Sequence, residues 1–215
     1  MAVTIRRDSQ QWILDYLSMV EGKDRNFAGI DHTLWPPHVV RSVAMVPKVM
    51  RKIGDERVRL AEAAEKRGHG STAGRVYRLA CDAYRTAQHA IMENTPEKID
   101  LYRRLTECYD RVIQYADYPI ERVDIPWEGN EIPALFHILP DRRKAPCVLF
   151  IPGMDMTKEQ SPDPTDNMFH ERGMHVMVMD GPGQGESNVR AIHATHDNYE
   201  RAATAVIDWL VTRPE

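Results

Sequence analysis

Met179-Asp180-Gly181-Pro182-Gly183-Gln184-Gly185-Glu186-Ser187 follows directly on the apolar run Met174 to Met179. A second such stretch, Ile151-Pro152-Gly153-Met154-Asp155-Met156-Thr157-Lys158-Glu159, follows on Ala145 to Ile151. Short, wholly apolar runs suit strands covered on both faces, and the glycines and prolines after each mark where strand gives way to loop. Between the two runs lies a helical candidate, Asp166 to Arg172. After the second lies Asn198 to Thr212, whose Tyr199, Ala202, Ala203, Val206, Ile207 and Leu210 form one apolar face. Asp197 and Glu200 give this helix a start resembling a capping box. Ahead of the first run, Ile120 to Trp127 and Glu131 to Leu139 read as strands joined by Glu128, Gly129 and Asn130, an antiparallel hairpin. Hairpin, buried strand, helix, buried strand, helix is the opening half of a doubly wound α/β sheet preceded by a small ribbon.

Upstream of Tyr118-Pro119 the period is helical. Trp12, Ile13, Tyr16, Leu17 and Val20 form one stripe. A longer one runs through Ala73, Val76, Tyr77, Ala80, Ala83, Tyr84, Ala87 and Ile91. A third takes Tyr102, Leu105, Tyr109, Val112, Ile113 and Ala116, after Thr95 as N-cap and Pro96 at the first helical position. Breaks fall at Asp31 to Pro37 and at Gly68 to Gly70. The tyrosines Tyr77, Tyr84, Tyr102 and Tyr109 lie on the stripes and read as core or interface.

The chain has 215 residues, 42% of them hydrophobic, enough for an ordinary core in one large domain or two modest ones. Charged residues make up 28%, the net charge is −4 and the pI about 6.1, so no basic surface suggests nucleic acid or anionic lipid as a partner. Cys81, Cys108 and Cys147 are widely spaced and odd in number, which reads as reduced core thiols rather than a disulfide framework or zinc knuckle. The first residues lack an apolar segment after Arg6 and Arg7, and no stretch approaches a membrane span. A cytoplasmic location is expected.

The two glycine loops are the candidates for chemistry. Gly153 ends a buried strand and lets the following peptide turn its N–H into a cleft, the geometry that stabilising an oxyanion requires. Gly153 and Met154 are therefore the candidate oxyanion hole, through the backbone. Asp180, Gly181, Gly183, Gly185 and Ser187 read as a structural loop lining a site. A dinucleotide fingerprint would need glycine where Glu186 stands, and no G-x-x-x-x-G-K-[ST] is present. Asp155 and Glu159 are candidate paired carboxylates; alternatively Lys158 and Glu159 hold the loop by an ion pair, the preferred reading. Trp35 is a candidate for an aromatic pocket wall. His193 and His196, three apart with no third ligand nearby, read as a solvated loop rather than a metal site. No metal or other cofactor is expected.

Together the loops resemble the α/β-hydrolase superfamily, in which a loop after the third strand supplies one oxyanion donor and a D-x-x-G-x-G-x-S loop follows the fourth. Asp180, Gly183, Gly185 and Ser187 fill the second motif. The helical N-terminal half, the W-E-G turn at Trp127 to Gly129, the P-G-x-x-x-x-K-E loop at Pro152 to Glu159, and D-G-P-G-Q-G-E-S narrow the likeness to one branch. That branch holds dihydroxypseudooxynicotine hydrolase, fungal polyketide-shortening hydrolases and relatives of the fermentation-respiration switch protein. It implies residues 1–118 as a helical cap or lid domain and 119–215 as the N-terminal half of a hydrolase domain.

The family's nucleophile sits on a G-x-S-x-G elbow, followed in chain order by an acid and a histidine. No such elbow is found up to Glu215: Ser187 lies in Gly-Glu-Ser-Asn-Val, and Ser71 is one position out of register. The expectation is therefore part of a serine-type hydrolase, truncated before the elbow and inactive by itself. It would act on a carbon–carbon bond next to a ketone, or on an ester, in an aromatic or polyketide-like small molecule. A homodimer or a complementing C-terminal hydrolase segment is the expected partner. The alternative is a non-catalytic helical interaction protein or one chain of a split hydrolase, although the helices show no fixed repeat period.

Overall fold

The computed structural model describes Val40 and residues 42–215; the first stripe, Trp35 and the Asp31 to Pro37 break lie outside the described residues. The chain divides into two compact units between Cys108 and Tyr109, inside the helix Pro96–Gln114.

In the first unit a 3-10 turn, Val43–Met45, leads into α1, Val46–Lys66. Pro47 stands in the first turn of α1, where a missing N–H leaves no intrahelical bond unmade. Gly68, at φ 75°, turns the chain into α2, Gly70–His89. The two helices meet closely at Gly54, where a Cβ would lie 2.7 Å from the Tyr84 ring. Tyr84 then donates its hydroxyl to Asp55 Oδ1 at 2.7 Å, and burial, with this bond, raises its pKa. The next helix, α3, spans Pro96–Gln114. Thr95 caps it as the sequence suggests, its Oγ1 accepting from Lys98 N at 3.3 Å and its carbonyl from Ile99 N at 3.0 Å. Tyr77, Tyr84, Tyr102 and Tyr109 are all buried. α2 and α3 stop short of Ile91 and Ala116, the last members of their stripes.

The second unit is built on a four-stranded sheet: β1, Ile120–Trp127; β2, Asn130–His137; β3, Cys147–Phe150; and β4, His175–Met179. Its order is β1-β2-β4-β3. The hairpin closes with Trp127 opposite Asn130 through Glu128 and Gly129, both left-handed at φ 47° and 75°. That turn matches the twist of the strands it joins. β2 runs antiparallel to β4, and β4 parallel to β3. α5, Asn198–Val211, lays Ala202 and Val206 into a core with Ile125, Ile132, Phe136, Met177 and Met179. Phe136 meets the Trp209 ring edge-on, and the Arg213 guanidinium lies over both rings. The fold is α/β, a helical N-terminal segment followed by the first part of a doubly wound sheet.

Four sequence expectations are corrected here. β4 is buried throughout, but β3 is not: Cys147 is exposed and Val148, Leu149 and Phe150 only half-buried, because β3 is the edge strand. Cys147 is therefore no core thiol, unlike Cys81 and Cys108. Asp166 to Arg172 forms only a 3-10 turn, His170–Arg172, because Asn167 Oδ1 takes the N–H groups of Phe169 and His170 that a longer helix would use. At the start of α5 no capping box forms. Asp197 pairs with Arg201, and Asn198 ties the entry instead, accepting from Thr195 N at 2.8 Å and donating to His193 O at 2.9 Å.

Candidate functional site

β3 and β4 run parallel, so the loops that leave their carboxyl ends emerge side by side at one edge of the sheet. The first loop begins with Pro152 and turns tightly, Met156 N donating to Gly153 O at 2.9 Å. Gly153, Met154 and Asp155 are exposed, Met154 at 92%. The Met154 N–H makes no hydrogen bond with any of the described residues. Further along, the chain dives inward: Thr157, Lys158 and Glu159 are buried.

Lys158 is fully buried among three carboxylates. Its Nζ lies 2.8 Å from Glu159 Oε1, 3.2 Å from Asp180 Oδ2 and 2.5 Å from Glu186 Oε2. Burial works against the ammonium charge, but Glu159, Asp180 and Glu186 outweigh it and hold the lysine above its ordinary pKa. Asp180 is as deeply buried. It accepts from Lys158 N at 2.8 Å and from Glu186 N at 2.9 Å, while its backbone carbonyl accepts from Ser187 Oγ at 2.6 Å. Burial, with Glu159 alongside, raises the Asp180 pKa, and the Lys158 ammonium works in the opposite direction. Burial also opposes the charge of Glu186, yet Lys158 and Arg190 hold its pKa down to about 2. Arg122, on β1, adds a second cation 3.7 Å from Glu159 and 3.8 Å from Glu186.

The Asp180 loop is shaped by these contacts. Gly185, at φ 38°, opens a short helix, α4 (Gly185–Val189), and a Cβ there would lie 2.2 Å from Asp180 Oδ2. At Gly181 a Cβ would come within 2.3 Å of the Tyr199 ring. Asp180, Gly181, Gly183, Gly185 and Ser187 thus form an internally bonded loop that buries its polar groups. Ser187 is fully buried and committed to Asp180, so its hydroxyl has no approach to a substrate. Glu186 faces Lys158 and Arg190, which leaves no anion site of the dinucleotide type.

Of the site residues read from the sequence, the structure brings Lys158, Glu159, Asp180 and Ser187 into one buried cluster and leaves Gly153, Met154 and Asp155 at the surface. Lys158 and Glu159 hold the loop; 0% and 4% exposed, they are out of reach of a substrate. The paired-carboxylate alternative fails, since Glu159 faces inward to Lys158 while Asp155 is exposed. His193 and His196 are exposed. Among the described residues no group of histidine, cysteine and acidic side chains is placed to hold a metal ion, and no helix is long and apolar enough to cross a membrane. Sequence reasoning missed Arg122, Arg190 and Gln184. Arg122 comes from β1, distant in sequence. Arg190 stands one helical turn after Glu186, a spacing that could have signalled the pair. The spacing of Gln184 between two glycines marks it only as loop.

No family model matches the chain. Among curated proteins it is 29% identical over 150 residues to 2,6-dihydropseudooxynicotine hydrolase of Paenarthrobacter nicotinovorans, covering 70% of this chain and 40% of that protein. It is 25% identical over 157 residues to the alpha/beta hydrolase xenA of Xenoacremonium sinensis, covering 71% and 37%. The crystal structure of 2,6-dihydroxy-pseudo-oxynicotine hydrolase superposes with a TM-score of 0.66 at 26% identity, over 94% of this chain and 52% of that one. The chain therefore spans about two-fifths of the length of the curated relatives it matches. It is related to the α/β-hydrolases of the branch that holds 2,6-dihydropseudooxynicotine hydrolase and fungal hydrolases, and it carries the helical segment and the first part of their fold.

Proposed function

We propose that this chain is part of a serine-type α/β-hydrolase that cleaves a carbon–carbon bond next to a ketone, or an ester, in an aromatic or polyketide-like small molecule. The observation that carries this reading is the Met154 N–H, without a partner among the described residues, at the carboxyl end of β3 in a loop anchored from behind by Lys158 and Asp180. A backbone donor held open in this way meets a developing oxyanion by giving up only water, because no hydrogen bond within the protein has to be broken first. Met154 is assigned as one oxyanion donor, with Gly153 as its hinge. The nucleophilic serine, its acid and its histidine come from a segment outside these residues, which pairs with the open edge of β3 and supplies the second donor. That pairing would cover Leu149 and Phe150, apolar side chains now half-buried at the edge. Residues 1–118, by this reading, are the helical cap or lid domain of that hydrolase.

The test is the intact mass of the natural gene product together with its reaction with a fluorophosphonate. The expected result is a mass well above that of the 215 residues and a single phosphonylated serine within G-x-S-x-G. Labelling at Ser71 or Ser187, or no labelling of a product that hydrolyses esters, would contradict the reading.

A further inference from the structure

The loop that carries Met154 is also gripped from the neighbouring loop. Gln184, 7% exposed, donates from Nε2 to Pro152 O at 2.9 Å and to Gly153 O at 2.8 Å. Its Oε1 accepts from the Tyr199 hydroxyl, so both ends of the amide are engaged and its orientation is determined. Tyr199, in the first turn of α5, passes over Gly181, the position where any Cβ would collide with its ring. A continuous set of contacts thus runs from α5 through Tyr199 and Gln184 to the carbonyls of Pro152 and Gly153.

The consequence follows from peptide geometry. In a planar trans peptide the C=O and the next N–H point in opposite directions. Gly153 O is committed to Gln184 Nε2 and to Met156 N. The Met154 N–H of the same peptide is therefore turned away from Gln184, to the side where none of the described residues meets it. Rotating the peptide to redirect that N–H would break both bonds to Gly153 O and leave a buried amide short of an acceptor.

We infer that Gln184, backed by Tyr199, is a positioning residue that sets the direction of the Met154 N–H. The inference rests on the reading of Met154 as an oxyanion donor, and it adds the residues that aim it. Two substitutions separate the links: Gln184→Met keeps the length and removes both polar ends, while Tyr199→Phe keeps the ring over Gly181 and removes only the hydroxyl.

The experiment is amide NMR with hydrogen exchange on the natural gene product, wild-type and both variants, followed by kinetics on the same proteins with p-nitrophenyl butyrate. In Gln184→Met the Met154 and Met156 amide resonances shift and Met156 N–H exchanges about tenfold faster or more, with the amides of α1 and α2 unmoved. Tyr199→Phe gives the same pattern at smaller amplitude, and it carries the test if Gln184→Met does not fold. In turnover, kcat falls about 10–100-fold while KM stays within about twofold. Unmoved Met154 and Met156 amides in a folded variant, or a rise in KM with kcat intact, would overturn the inference. A wild-type gene product that turns over no ester would count against the hydrolase reading alone, since the NMR comparison reads the positioning without turnover.

Discussion

The loops that follow β3 and β4 both begin with glycine and proline at a strand's end, yet they are built in opposite ways. The loop after β4 turns its polar groups inward: Asp180, Ser187 and Gln184 are buried and bonded, and two of its glycines stand where a Cβ would strike a neighbour. The tip of the loop after β3 is exposed, and a Cβ at Gly153 would find only ordinary contact, with Asp155 Oδ1 at 3.4 Å. One loop is an anchor and the other presents a donor. The sequence signature of glycines after a strand does not tell these apart; the difference lies in which polar atoms have partners.

The comparison breaks most severely at Lys158. Lys158→Met removes the cation from between Glu159, Asp180 and Glu186 and leaves buried carboxylates facing one another. A loss of about 3–5 kcal/mol is expected, measured by urea denaturation. A loss under about 1 kcal/mol would mean that Arg122 and solvent compensate. Next in size is Gly185→Ala, which forces a Cβ into Asp180 at a left-handed φ. It should cost about 1–3 kcal/mol by the same measurement.

The pH dependence sharpens the contrast between buried groups and exposed ones. Burial, aided by His170, holds His137 neutral with a pKa of about 3. Between the unfolded value, roughly 6.5, and about 3, the unfolded chain binds the extra proton, so stability falls as pH falls through that window. Glu186 has the sign of a carboxylate held low. Its contribution is present above the unfolded value and is lost as pH drops through about 2. Denaturation midpoints measured from pH 7 down to 3 should decline steadily, and His137→Gln should flatten the upper part of that decline. The smallest effect is expected at the presenting loop, where Gly153→Ala should change stability by no more than about 0.5 kcal/mol.

Much of the fold was legible in the sequence. The hairpin, both apolar strands, the Thr95-Pro96 start of α3 and the long α5 all follow from period, turn residues and capping signals. What failed was local competition. Asn167 spends its side chain on two backbone N–H groups and stops a helix, and Asn198 takes over a cap that the spacing assigned to Asp197 and Glu200. The half-exposure of β3 was out of reach of its composition, because an apolar run reads the same at the centre of a sheet as at its edge. At the site, the glycines and the Lys158–Glu159 pair were readable locally. Arg122 joins the charge cluster through the register of β1, and Gln184 acts across two loops, so neither leaves a signature in nearby sequence.

The account stands or falls on what Met154 touches during reaction. Crystals of the natural gene product inactivated by a fluorophosphonate should show the phosphonyl oxygen about 2.7–3.1 Å from Met154 N, with phosphorus bonded to a serine outside these 215 residues. A phosphonyl oxygen held by other donors, with Met154 N–H pointing elsewhere, would contradict the assignment of this loop as the oxyanion site.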